Sequence, residues 1–149
     1  MKTSTYHINI QRPAAHVFET MLTRDTYRQW TAEFDPSSDF EGGWNKGDKI
    51  YFLGPSEHGK RQGMIAEIVE HIPNSFISIR HYGIVDGDNE ITDGPKVEAW
   101  AGAFENYTFL ESEGHTSLTV ELDTNEEYAA YFDEAWPRAL RKLKEICEH

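Results

Sequence analysis

The chain has 149 residues, enough for one domain with a sizeable core and too few for two ordinary ones. Its 26 acidic and 14 basic residues give a formal net charge of -12, which repels nucleic acid and anionic membrane surfaces unless a local basic patch offsets it, and the sequence has none. The lone Cys147 excludes an internal disulfide. With neither a signal-peptide-like start nor an apolar run of membrane-spanning length, the expectation is a soluble, cytoplasmic protein, a monomer or weak dimer, with no membrane insertion.

Tyr6, Ile8 and Ile10 alternate with His7 and Asn9 as a first strand. Pro13 then opens a helix at its favoured first position, with Val17, Phe18, Met21 and Leu22 on the inner face. A second helical turn runs from Asp25 to Trp30. Gly42-Gly43 and Asn45-Lys46-Gly47 are turn material. Strands follow over Lys49 to Leu53, Met64 to Ile72, Phe76 to Tyr82, Val97 to Leu110 and Ser117 to Leu122. They are separated by Pro55-Ser56, Pro73-Asn74, an acidic loop and Glu113-Gly114. Short connections make such strands antiparallel. Between Ala99 and Phe104 the apolar parity changes, which a bulge near Gly102 would reconcile.

From Thr124 to Glu148 the pattern becomes a long amphipathic helix. At about 100° per residue, Tyr128, Phe132, Ala135, Trp136, Ala139, Leu140, Leu143, Ile146 and Cys147 share one face. Ala135 and Ala139 fall near the middle of that stripe, where a helix lying flat on a sheet would carry Leu or Ile. The expectation is free space there, and so a container. Thr124 with Glu127 has the spacing of a capping box. Pro137 sits on the solvent side, where its kink costs about 3 kcal/mol and frees the Asp133 carbonyl to water.

An antiparallel sheet interrupted near its start by two short helices and closed by a long C-terminal helix resembles the helix-grip fold of the START-like (SRPBCC) superfamily. The segment Gln11-Arg12-Pro13-Ala14-Ala15-His16-Val17-Phe18, with Trp30 and Gly42-Gly43 beyond it, is similar to the opening of proteins related to the activator of the ninety-kilodalton heat-shock protein ATPase. Phe104-Glu105-Asn106-Tyr107-Thr108-Phe109, Leu118-Thr119-Val120-Glu121 and the Trp136-Pro137-Arg138-Ala139-Leu140 helix resemble the bacterial single-domain branch of that family. The resemblance covers nearly the whole chain. It implies an α+β fold, a curved antiparallel sheet of six or seven strands wrapped around the last helix, with a cavity between them. The superfamily holds binders of hydrophobic small molecules, polyketide cyclases and chaperone cofactors, so it implies a cavity without naming the occupant.

Chemical motifs are sparse. Asp86, Asp88 and Glu90 have the spacing of the first calcium ligands of an EF-hand, but Ile91 stands where Gly is needed and Val97 where a bidentate Glu is needed, so the segment reads as a solvated loop and a candidate lip of the cavity. His7, His16, His58, His71, His81, His115 and His149 show no zinc-ligand spacing, and the sequence has no nucleophile elbow, phosphate loop or dinucleotide fingerprint. No catalytic residue, metal or cofactor is therefore assigned. Trp30, Phe34, Phe40, Trp44, Phe52, Trp100, Tyr107, Tyr128, Phe132 and Trp136 are expected around the cavity, with Ala135 and Ala139 leaving room between them. Strand alternation sends Arg80 and Tyr82 to one face and His81 to the other. If the first face is the inner one, Arg80 can hold a ligand's carboxylate or phosphate. Glu98 and Glu105 are the candidate acid or base groups of a cyclase-like pocket. The reading is a hydrophobic or amphipathic small-molecule binder; a protein-interaction domain and a cyclase or dehydratase-like enzyme are the alternatives.

Overall fold

A computed structural model describes residues 1–54 and 60–149. The expected turn at Pro55-Ser56 and the side chain of His58 lie outside the described residues. The chain begins with β1 (Lys2–Ile10), followed by α1 (Ala14–Leu22) and α2 (Arg24–Thr31). Then come β2 (Asp39–Gly42), β3 (Lys49–Leu53), β4 (Gln62–Ile72), β5 (Phe76–Asp86), β6 (Asn89–Ile91), α3 (Pro95–Glu98), β7 (Ala103–Ser112), β8 (His115–Thr124) and α4 (Glu126–Glu148). The strands form one sheet in the order β1-β8-β7-β5-β4-β3-β2, with β6 paired to the far end of β5, making eight strands where six or seven were expected. Every pairing is antiparallel. This is the α+β helix-grip architecture implied by the sequence.

The additional strand comes from the acidic segment. Asp86 pairs with Asn89 across a tight turn in which Gly87 takes φ 64°, and Glu90 accepts hydrogen bonds from Lys49 Nζ and Tyr51 Oη, both at 2.6 Å. The expected open loop is thus a hairpin held down on its neighbours. The strand expected from Val97 is corrected as well. Gly94 and Pro95 start a short helix, Val97 is buried beneath it, and β7 begins only at Ala103. The parity change has its origin there: Gly102 is a turn residue at φ 90° whose N–H donates to the His81 carbonyl at 2.8 Å.

α4 runs unbroken through Pro137 and packs on β1, α2 and α1. Its buried face is Ala129, Ala135, Trp136, Ala139, Leu140, Leu143 and Cys147. Trp136 is 3% exposed and is the hub: Phe34, Trp30, Tyr6 and Tyr107 lie around it with ring centroids at 5.0, 5.8, 6.2 and 6.2 Å. Such a cluster contributes both buried apolar area and ring-ring terms of about 0.5–1.5 kcal/mol each. The capping box at Thr124 does not form. Thr124 still pairs with Lys2 in the β1–β8 ladder, and Asn125 is the N-cap, its carbonyl accepting from the Tyr128 and Ala129 amides with no side-chain cap. A strand that runs to the last residue before the helix leaves Thr124 in extended pairing, where its hydroxyl cannot reach the N3 amide.

Among the described residues, no helix is long and apolar enough to cross a membrane.

Candidate functional site

A cavity of about 640 Å³ lies between the sheet and the N-terminal half of α4. Its position follows from the elements that frame it. α2 brings Tyr27, Trp30 and Thr31, and the segment after it brings Phe34, Asp35 and Ser38. β3 and β4 contribute Phe52, Leu53, Gly63 and Met64, and β5 contributes His81 and Ile84. Trp100 comes from the turn before β7, and Ala103, Glu105 and Tyr107 from β7 itself. The end of β8 and the first turns of α4 close the wall with Leu122, Asp123, Tyr128, Tyr131, Phe132 and Trp136. Tyr128 and Tyr131 are about half exposed and stand at the rim. Two irregularities shape the floor. A bulge in β5 leaves Tyr82 without a partner opposite Ile65 and Ala66, so that His81 and Ile84 both face the cavity despite their odd spacing. Gly63 lets β3 and β4 come together beside the cavity, for a Cβ there would meet the Phe52 carbonyl oxygen at 1.9 Å.

The cavity wall is mainly aromatic, yet a polar cluster is set into it. His81 Nε2 lies 3.1 Å from Glu105 Oε1, and the Tyr107 hydroxyl donates to Glu105 Oε2. His81 is 8% and Tyr107 1% exposed, and the Glu105 side chain is 15% exposed. As a carboxylate Glu105 only accepts, so Nε2 of a neutral His81 carries the proton and Nδ1 presents a lone pair. That Nδ1 is buried without a hydrogen-bond partner among the described residues. Burial pushes the Tyr107 hydroxyl well above the ordinary tyrosine range, and the neighbouring Glu105 charge adds to it. Tyr27, also buried, is raised by the same two causes in the same order. Both phenols therefore stay neutral donors at any physiological pH.

Of the residues expected around the cavity, Trp30, Phe34, Phe52, Trp100, Tyr107, Tyr128, Phe132 and Trp136 line it. The others do not. Phe40 and Trp44 pack one layer behind, against Tyr27 with centroids at 4.9 and 6.3 Å and against each other at 5.2 Å. Ala135 and Ala139 are fully buried but outside the lining, and Ala139 belongs to the packed cluster of Trp136, Leu140 and Leu143. Their small size lets α4 lie close on its neighbours, and the free volume is found instead toward the helix start. Arg80 and Tyr82 are on the outer side: Arg80 sits 3.8 Å from Glu67 and stacks over the Tyr82 ring at 5.5 Å. Arg80 is therefore not a ligand clamp. Glu98 is exposed on α3, and none of the acidic hairpin from Asp86 to Gly94 lines the cavity, so it is not a lip. Among the described residues, no group of His, Cys, Asp and Glu is arranged to hold a metal ion.

The sequence profile of the family described as Activator of Hsp90 ATPase homolog 1-like protein matches residues 11–148. The chain belongs to this family. No curated protein matches it. Solved structures share its fold: the Aha1 dimer of Colwellia psychrerythraea is 19% identical over 99% of this chain and 97% of its own, with a TM-score of 0.72. ChR145 of Cytophaga hutchinsonii is 16% identical, covering 99% and 94%, with a TM-score of 0.73. DynU16, from the dynemicin biosynthetic locus, is 13% identical over 99% of this chain and 48% of its own, with a TM-score of 0.69.

In this member of the Activator of Hsp90 ATPase homolog 1-like family, the structure brings Glu105, expected as a candidate acid or base, and Tyr107, expected at the cavity, together with His81, a grouping the sequence alone did not reveal. A weak signal was present. His81 and Arg80 had to occupy opposite faces, and Glu105 and Tyr107 had to share one.

Proposed function

We propose that this protein binds a small amphipathic molecule in the cavity between the sheet and the start of α4. One observation carries the reading: a cavity of about 640 Å³ with aromatic walls has a hydrogen-bonded His81–Glu105–Tyr107 cluster in its side. Ligand sites of this size are mostly apolar with a few convergent polar groups, and that is the composition here. Aromatic walls favour a body with rings or a kinked chain, and the polar cluster fixes its orientation. The soluble, cytoplasmic setting expected from composition suits an intracellular ligand of this kind.

The His81–Glu105 pair supports a second reading, in which the bound molecule is also turned over by proton transfer. Glu105 would position the ring and Nδ1 would take the proton. DynU16, one of the structures with this fold, comes from a biosynthetic locus, which lends that reading support by fold analogy only.

Titration with an environment-sensitive apolar dye tests the binding reading. A saturable rise in emission, with quenching of the tryptophans around the cavity, is the expected result. Native mass spectrometry of the protein purified from its own host would then give the mass of a retained ligand. If the dye finds no saturable site and the protein emerges at its bare mass, the cavity is not a container.

A further inference from the structure

The charge of the cavity wall is one-sided. Glu105, Asp35 and Asp123 line it, whereas none of the chain's 14 lysines and arginines does. The three carboxylates are held by neutral or weakly basic groups. Asp123 accepts from Thr3 Oγ1 at 2.8 Å and from the Phe104 amide at 3.1 Å, Asp35 accepts from the Ser37 amide at 2.8 Å, and Glu105 accepts from His81 and Tyr107. Among the described residues none of them is paired with Lys or Arg. The Glu105 side chain is only 15% exposed, and a largely covered carboxylate without a fixed cation is costly, a cost that a positive group entering the cavity would lower. An anionic head would raise it.

The hydrogen-bond polarity agrees. Glu105, Asp35 and Asp123 are acceptor-only as carboxylates, and among the described residues His81 Nδ1, on a ring that is 8% exposed, has no hydrogen-bond partner; in the tautomer whose Nε2–H meets Glu105 it is a further acceptor. A complementary ligand group donates. The aromatic surfaces add a third, independent preference, because Trp30, Trp100, Trp136, Tyr128 and Tyr131 present rings to the same space. Ring faces attract cations by about 0.5–2 kcal/mol, Trp most strongly. The net charge of -12 draws a cation toward the rim over a longer range.

We propose that the cavity takes an organic cation, an amine on an apolar ring-bearing body, with the ammonium seated at Glu105 and His81 among the aromatic rings. The proposal rests on the small-molecule reading above and names the class of ligand that site would accept.

The test uses three probes with one ring system: naphthylethylamine, naphthylethanol and naphthylacetate, each titrated into the full chain by calorimetry at low salt. The amine is expected to bind about tenfold or more tighter than the alcohol, equivalent to about 1.4 kcal/mol, with the acetate weakest. Raising the salt should weaken the amine selectively. Glu105→Gln should bring the amine to within about threefold of the alcohol, both measured on that variant. Should that variant fail to fold, the ranking and its salt dependence on the unaltered chain decide the matter. Equal binding of amine and alcohol, or tightest binding of the acetate, overturns the cationic preference while the container reading stands. Binding of the apolar dye with none of the three probes also overturns it. If neither dye nor probes bind, the container reading itself has failed.

Discussion

Ala139→Leu separates a helix that is small because it packs closely from one that is small because it leaves room. Ala139 is fully buried, stands in the cluster of Trp136, Leu140 and Leu143, and does not reach the cavity. The substitution inserts an isopropyl group into filled space. Overpacking of this kind costs about 1–3 kcal/mol, because side chains leave their rotamers and the helix shifts outward. For a chain of this size each kcal/mol moves the thermal midpoint by roughly 2–4 °C, so a drop of about 4–8 °C is the central expectation. Circular dichroism melts of the two proteins provide the measurement, and a dye titration alongside should show near-native affinity, since the cavity lies toward the start of α4. An unchanged or raised midpoint together with weakened dye binding would refute the reasoning, for it would mean that the free volume extends along the helix to Ala139.

Trp136→Ala, at the centre of four aromatic contacts, should cost about 3–5 kcal/mol in urea unfolding, and a loss below about 1 kcal/mol would contradict its role as hub. Thr124→Ala should cost well under the roughly 1 kcal/mol of a lost cap, since the hydroxyl makes no cap bond; a full loss would restore the capping box. Cys147 is fully buried, and burial pushes its thiol up to about 11, so iodoacetamide at mild alkaline pH should label it only after unfolding. The same shift has a stability consequence. The folded state favours the protonated thiol, so this contribution is intact below the unfolded value of 9.0 and is lost as pH rises through about 11. Urea midpoints should therefore fall over that window, less steeply in Cys147→Ala, and equal slopes in both proteins would remove Cys147 as a cause.

The fold was legible where periodicity was long. The stripe of α4, which includes Trp136, the alternation of β1 and the early helices all reappear, because an amphipathic period sustained over many residues leaves few ways to bury its face. Short signals failed. Val97 was read as the start of a strand, although Pro95 after Gly94 is equally a first helical turn. Thr124 matched a capping pattern, yet the pairing that keeps it in β8 is made with Lys2 at the other end of the chain. At the site, the aromatic residues nearest α4 were recoverable. Ala135 and Ala139 were not, since alanine is compatible both with a gap and with close approach, and only the helix-to-sheet distance distinguishes them. The face of Arg80 was undecidable for a related reason: alternation fixes which residues share a side, and the bulge at Tyr82 decides what the side looks onto.

The central claim, that the cavity with His81 and Glu105 in its wall is a ligand site, is tested most directly by two-dimensional amide NMR during titration with the apolar dye. Saturating shifts are expected at Gly63, His81, Trp100 and Glu105 and at the first turns of α4, around Tyr128 and Phe132. The last turns, around Leu143 and Cys147, should stay still. Shifts confined to exposed apolar residues elsewhere, such as Ile72 and Leu110, or a spectrum that does not respond, would contradict it.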